Sequence, residues 1–123
     1  MRYLNLSSSD LRYKCDIPAK KCSWELQMNL EETKFALTSL KVLLKTATSY
    51  SLITVKTNLL DRNYLNPNGI LCVVNGSSKV ISTDDSNPPF WKLEFSRPRE
   101  ITLEFTGIEV SNIKSINAVF AFQ

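Results

Sequence analysis

Polar and apolar side chains alternate strictly along several short stretches of this chain, and no other feature constrains its fold as much. Residues 23–30 read Ser-Trp-Glu-Leu-Gln-Met-Asn-Leu, and the same two-residue period returns at 90–96, 101–106 and 116–122. Successive side chains of a β-strand point to opposite faces, so this period predicts strands with one buried and one solvated face. The chain is therefore expected to form a compact antiparallel β domain.

Turn signals recur about every ten residues between the predicted strands, which include further segments at 2–6, 51–59, 70–74 and 78–82. Asn75-Gly76 is a preferred centre of a type I′ turn and predicts a hairpin between the last two segments. Residues 97–99 predict a second hairpin. Eight or nine strands at this spacing are typical of a β-sandwich, jelly roll or barrel. We predict one antiparallel β-sandwich domain over residues 1–123, in which 7–22 form a polar, basic connection.

Residues 33–46 fit two kinds of secondary structure. As a helix, they place Ala36, Leu40, Leu43 and Ala47 on one face. As a strand, they place on one side Ala36, Thr38, Leu40, Val42 and Leu44. We favour the strand because the neighbouring segments on both sides are β, and the helix stays open as the alternative.

The composition offers little catalytic chemistry. The chain has no histidine, three cysteines and three glycines. It therefore lacks the usual general base and the commonest metal ligand, and it cannot form a Ser-His-Asp or Cys-His site. A classical zinc site or a glycine-rich phosphate loop would need more of these residues. We expect no enzyme activity, metal or cofactor; a hydrolase or lyase on a small β-barrel is a third hypothesis, which the missing histidine disfavours.

Charge and hydropathy bear on partners and on location. The formal net charge is +3, and Asp10 and Asp16 dilute the basic connection, so we do not expect nucleic acid as a partner. No apolar run reaches the length of a membrane span, which predicts no membrane insertion. The first residues lack the apolar stretch of a signal peptide, and an odd number of cysteines is a poor disulfide framework.

Most aromatic residues are in phase with the apolar face of their strand, which indicates a place in the core. Phe90 is out of phase with Trp91 and follows two prolines, so it is a better candidate for surface contact. The basic connection supplies further candidates. The full set of predicted contact residues is Arg12, Tyr13, Lys14, Tyr50, Tyr64 and Phe90.

Several stretches also carry a family resemblance. Residues 3–10 read YLNLSSSD, residues 35–40 read FALTSL, and residues 53–61 lead through NPNG at 66–69 to ILCVV at 70–74. With the alternating strand at 24–30, they resemble small jelly-roll minor capsid and penton-like proteins of polinton (maverick)-like elements, adintoviruses and virophages. The resemblance implies a single jelly roll. The chain is short for that family, whose members often carry further jelly-roll domains or tails.

The same resemblance implies a function without a catalytic site. It suggests a non-enzymatic structural subunit, either minor capsid or penton-like, that assembles with its own copies and with other capsid subunits through loops and edge strands. Its expected location is the virion, after synthesis in the host cytoplasm or nucleus without a signal peptide. The alternative is a receptor- or glycan-binding jelly roll, such as a fibre head or lectin-like module, that uses the same loops.

Overall fold

The computed structural model describes residues 1–26, 31–48, 53–59, 71–73, 78–84, 87–93 and 100–123, and these residues form two antiparallel β-sheets packed face to face. The strands are β1 (Arg2–Ser7), β2 (Tyr13–Asp16), β3 (Lys21–Glu25), β4 (Lys34–Thr48), β5 (Ile53–Thr57), β6 (Leu71–Val73), β7 (Ser78–Asp84), β8 (Trp91–Lys92), β9 (Glu100–Thr106) and β10 (Ile113–Phe122). A 3₁₀ turn, Val110–Asn112, precedes β10. The predicted all-β sandwich is confirmed, whereas the described residues form ten strands, more than the eight or nine predicted.

The strand order follows a nested pattern. One sheet has the order β1-β10-β4-β7, with β8 paired to β4, and the other has the order β2-β3-β9-β5-β6. Strand β1 pairs with β10, β3 with β9, β4 with β7 and β5 with β6, and these pairs fall alternately in the first and the second sheet. The chain therefore runs as a long two-stranded ribbon that is folded back and forth across the sandwich.

The apolar faces of the alternating strands meet between the two sheets. In β9 the buried side chains are Ile101, Leu103 and Phe105, at the two-residue period that the sequence predicts. Trp24 of β3 is fully buried, and its indole N–H donates a hydrogen bond to the carbonyl oxygen of Ser7 at 2.9 Å. The core can thus hold a large polar ring because its one donor is satisfied.

The ambiguous segment 33–46 is a strand, and the favoured prediction is confirmed. A β-bulge at Thr38 shifts the alternation, because Ser39 pairs with Val119 while Leu37 pairs with the next residue, Phe120. The hydroxyl of Thr38 donates to the carbonyl oxygen of Val119 at 3.0 Å. The sequence prediction of one continuous face was therefore wrong at its start: the core-facing residues are Phe35 and Leu37 before the bulge, and Leu40, Val42 and Leu44 after it.

Both predicted hairpins are wrong. Within the described residues, β6 pairs with β5 and β7 pairs with β4, so the strands that flank Asn75-Gly76 lie in different sheets. The turn itself lies outside the described residues, as do residues 66–69 and 97–99. Similarly, β8 pairs with β4 while β9 pairs with β3 and β5. At both places the described strands before and after the turn belong to different sheets.

The segment 7–22 is not only a connection. It contains β2 and the first two residues of β3. The two strands pair with Tyr13 opposite Trp24 and with Cys15 opposite Cys22. Residues 11–17 read Leu-Arg-Tyr-Lys-Cys-Asp-Ile and alternate between apolar and polar side chains, a strand signal that the prediction of a polar connection missed. Pairing with β3, which lies between β2 and β9 in the sheet, stabilises this strand.

Candidate contact surface

Two aspartates shape the hairpin that carries the predicted contact residues. Before β2, the carboxylate of Asp10 accepts the backbone N–H of Arg12 at 2.9 Å, and its carbonyl oxygen accepts the N–H of Tyr13 at 3.0 Å. After β2, the carboxylate of Asp16 accepts the N–H of Ala19 at 3.2 Å. Lys20 closes the turn with a φ of 56°. Short carboxylates that bond nearby backbone N–H groups favour such turns, so the sequence builds this hairpin locally.

The hairpin forms an open edge of the second sheet. In the described part of the chain, β2 is the outermost strand of that sheet and has β3 as its neighbour. Leu11, before the strand, is fully exposed, and Ile17, after it, is 52% exposed. We call residues 11–17 the β2 edge. Unpaired backbone groups and exposed apolar side chains together make such an edge a place for another chain to bind.

The structure places three predicted contact residues on the β2 edge. Arg12 is exposed, and its guanidinium bonds to the carboxylate of Asp10 at 3.1 and 3.3 Å. This ion pair raises the pKa of Arg12 and lowers the pKa of Asp10, and it reduces the free positive charge of the surface. Lys14 is exposed. Tyr13 is half-buried, with its ring centre 5.0 Å from that of Trp24.

Of the remaining predicted residues, the structure describes Phe90 alone, and it lies away from the β2 edge. Tyr50 and Tyr64 lie outside the described residues. Phe90 is half-buried directly before β8, which belongs to the first sheet, and the next residue, Trp91, packs against the core. The four described candidates therefore do not form one site, and the β2 edge contains three of them.

A pair of thiols lies beside these residues, and the sequence interpretation missed it. Exposed Cys15 and buried Cys22 face each other across β2 and β3, and their Sγ atoms are 3.3 Å apart. The odd number of cysteines pointed away from a pair. The available signal was their separation by seven positions around a turn that contains Pro18.

The pairing geometry around these thiols follows from two backbone hydrogen bonds. The N–H of Glu25 donates to the carbonyl oxygen of Arg12 at 3.4 Å, which makes these two residues a hydrogen-bonded pair. Pairs alternate along an antiparallel ladder, so Cys15 and Cys22 form a non-hydrogen-bonded pair. On the far side of β3, the N–H of Phe105 donates to the carbonyl oxygen of Lys20 at 2.9 Å, which directs the backbone groups of Cys22 toward β9 and agrees with this assignment.

Burial changes the acidity of the groups around the thiol pair. Desolvation, with a further contribution from Cys15, raises the pKa of Cys22 to about 12, and the hydrogen bond from Tyr13 only partly opposes it. Burial and contacts with both thiols also raise the pKa of Tyr13. Cys22 and Tyr13 are therefore both neutral near pH 7. The chemistry that the arrangement offers is that of a vicinal dithiol with one exposed and one shielded sulfur.

Within the described residues, no three side chains of the His, Cys, Asp and Glu types gather as they would to hold a metal ion. In the same part of the chain, no helix has both the length and the apolar character needed to cross a membrane. No protein-family model matches this chain, and no curated protein matches its sequence.

Proposed function

We propose that this protein is a non-enzymatic structural subunit that assembles with its own copies and other subunits into a viral or virus-derived capsid. The nested pairing of β1 with β10, β3 with β9, β4 with β7 and β5 with β6 supports a jelly roll. Jelly rolls serve in viral capsids and in lectins. Fold alone does not choose between these uses, so the choice depends on the surface.

The β2 edge is the observation that favours assembly. Burying the fully exposed Leu11 and the half-exposed Ile17 against another chain would stabilise a contact by about 1.5 to 3 kcal/mol for each fully buried side chain. Lys14 and Asp16 lie two positions apart on β2, so two copies that meet antiparallel about Cys15 bring opposite charges together. The occupant that this edge fits best is a second copy of the chain.

The first strand offers a second route for assembly. In the described residues, β1 is an outer strand of the first sheet, paired with β10 on one side. An outer strand can add to the sheet of a neighbouring subunit through backbone hydrogen bonds. Two open edges on opposite sheets allow one subunit to contact more than one neighbour, as a closed ring or shell requires.

Assembly can be tested on the full chain under reducing conditions. We expect sedimentation velocity and negative-stain electron microscopy to show concentration-dependent closed rings or shells. Leu11→Asp and Ile17→Asp place a charge in the proposed contact and should shift the population toward monomers. Val80→Asp is the matched control, because Val80 is an exposed apolar residue on β7 in the other sheet.

The outcomes separate the proposal from its alternatives. A species no larger than a dimer at the highest soluble concentration would contradict the capsid proposal. Dissociation by Val80→Asp but not by Leu11→Asp would show that the β2 edge is not the contact. A monomer that binds members of a glycan array would instead favour the receptor- or glycan-binding module.

A further inference from the structure

We infer that Cys15 and Cys22 form a thiol–disulfide exchange site that takes small disulfide compounds as oxidants and closes to a disulfide bond between β2 and β3. The site belongs to the single chain in dilute solution and does not rest on the assembly proposed above, whose contact is centred on Cys15 and would cover this thiol. It assigns a chemical role to two thiols that face each other across β2 and β3.

The backbone already has the spacing that this bond needs. The Cα atoms of a non-hydrogen-bonded antiparallel pair lie about 4.5 Å apart, and disulfides form at Cα separations of about 4.4 to 6.8 Å. The two Sγ atoms, 3.3 Å apart, must approach to about 2.0 Å, which side-chain rotation can achieve. Closure therefore needs no change in strand register.

The two sulfurs have different access to solvent, and this sets the order of events. Cys15 is exposed, whereas Cys22 is buried under the sheet. An oxidant in solution can reach Cys15, and Cys22 can reach only the sulfur beside it. The adjacent charged residues, Lys14 and Asp16 on β2 and Lys21 on β3, alternate with the two cysteines and so lie on the opposite face of the sheet.

The reaction has two balanced steps. The Cys15 thiol gives its proton to water, and its thiolate attacks one sulfur of a small disulfide such as oxidised glutathione. The sulfur–sulfur bond of that compound breaks, a mixed disulfide forms at Cys15, and the released thiolate takes up the proton to become the first thiol. The sulfur of Cys22 then attacks Cys15, its proton passes through water to the second leaving thiolate, and the protein disulfide forms. Overall, two protein thiols lose two electrons and two protons, and the small disulfide gains both and becomes two thiols.

The high pKa of Cys22 gives this second step a distinct pH dependence. Because that thiol is protonated near pH 7, closure should be slower than the first exchange there and should accelerate as the pH rises. Tyr13 faces both thiols, and it stays neutral over the same range. The mixed disulfide at Cys15 should therefore be visible as a transient species.

The experiment uses dilute, reduced full-length protein treated with oxidised glutathione, quenched with acid and analysed by intact and peptide mass spectrometry. In the wild type we expect a transient glutathione adduct and then a species that has lost two hydrogen atoms, with a cross-link between the peptides of Cys15 and Cys22. Thiols counted after denaturation should fall from three to one.

Two single variants test the assigned roles. Cys22→Ser should accumulate the glutathione adduct on Cys15 without further reaction, whereas Cys15→Ser should form no adduct on Cys22 while the protein is folded. Circular dichroism before the reaction shows that each variant is folded, and Cys72→Ser provides a background in which the third thiol is absent.

Three results would overturn the assignment. They are a wild-type adduct at Cys15 that never closes, a covalent dimer joined through Cys15 as the main product, and equal reaction of glutathione with Cys22 in Cys15→Ser. If a variant does not fold, the wild-type cross-link map alone still decides whether Cys15 and Cys22 are joined.

Discussion

Trp24 shows how a single residue connects the two sheets. Its ring extends from β3 and is fully buried, and its N–H donates to the carbonyl oxygen of Ser7, the last residue of β1 in the other sheet. The carbonyl oxygen of Ser7 also accepts the N–H of Asp10 at 2.9 Å. The same atom therefore anchors the buried ring and begins the turn that leads to the β2 edge, so packing of the core positions the surface.

The thiol of Cys22 makes the free energy of unfolding depend on pH in the alkaline range. Its pKa is raised from the usual 9.0 to about 12, so above pH 9 the unfolded chain loses this proton while the native chain keeps it. The titration of Cys22 therefore leaves the free energy of unfolding unchanged below about pH 9. As the pH rises from there toward 12, the free energy of unfolding falls by no more than about 1.4 kcal/mol per pH unit. We expect urea unfolding under reducing conditions at pH 7, 8.5 and 10 to show this loss.

Cys22→Ala provides the comparison for that effect. The variant should be less stable than the wild type at pH 7, and the difference should shrink as the pH rises. Groups that do not contact Cys22 titrate in both proteins and cancel in the difference, and desolvation, the largest cause of the raised pKa of Tyr13, acts in both. Parallel profiles for the two proteins would mean that Cys22 does not carry the pH dependence.

At the scale of elements, asparagine side chains extend strand pairing beyond the strand ends. Asn58, just after β5, accepts the N–H of Thr102 at 2.9 Å and donates to the carbonyl oxygen of Glu100 at 3.0 Å. Asn112 bonds in the same way to the N–H and carbonyl oxygen of Thr46, at 3.1 and 3.2 Å. Each amide replaces a backbone partner where the ladder is irregular or ends.

Asn58→Ala tests this role. The substitution removes two hydrogen bonds from an exposed site where water can replace them, so we expect a loss of about 1 kcal/mol in the free energy of unfolding measured in urea. Asn117→Ala is the control, since Asn117 is an exposed asparagine in the middle of β10 whose backbone is already paired. If the two variants lose the same stability, the Asn58 bonds do not matter to the sheet.

The sequence predicted the positions of the strands better than it predicted which strands pair with each other. Residues 101–106 alternate cleanly and lie within β9, because alternation responds to burial on one face of that strand alone. The hairpins at Asn75-Gly76 and at 97–99 failed because a turn signal is local, whereas the sheet that accepts the next strand depends on distant residues. The bulge at Thr38 was hidden for the same reason: its partner, Val119, is far away in the sequence.

The candidate site was predictable only in part, for a related physical reason. Polarity and charge identify Arg12 and Lys14 as surface residues without knowledge of their partners. The alternation at 11–17 and the turn residues indicate a strand and a turn, but the facing of Cys15 and Cys22 depends on which residues of β2 and β3 pair. The half-burial of Tyr13 likewise depends on Trp24 across the ladder. Register arises from pairing with the buried strand, which composition does not reveal.

For the whole molecule, the nested pairing joins the beginning of the chain to its end. β1 pairs with β10 in a register that sets Arg2 opposite Phe122. The N–H groups of Thr33 and Lys34 both donate to the carbonyl oxygen of Gln123, at 2.8 and 3.0 Å. Contacts between residues so far apart in the sequence are typical of slow-folding β proteins. We call the place where Arg2 and residues 33–34 meet residues 122–123 the closing point of the sandwich.

An ion pair between Arg2 and Glu32 strengthens the closing point. The guanidinium donates two hydrogen bonds to the carboxylate, at 2.6 and 2.7 Å, and lies 4.8 Å from the centre of the Phe122 ring. The Arg2 side chain is 35% exposed, whereas that of Glu32 is 8% exposed. Removal of the arginine therefore withdraws a bidentate donor from a nearly buried carboxylate, while removal of the carboxylate leaves a cation that can regain water.

We expect this asymmetry in the free energy of unfolding measured in urea. Arg2→Met should cost about 3 kcal/mol and Glu32→Gln about 1 kcal/mol, because a charge that is left buried is more costly than one near the surface. Arg2→Lys should fall between the wild type and Arg2→Met, since lysine keeps the charge but loses the planar two-bond geometry. The double variant Arg2→Met/Glu32→Gln should recover part of the loss, because it removes both charges together. Strictly additive losses in this cycle would show that the pair does not couple the two ends of the chain, and closure would then depend on the backbone bonds to Gln123.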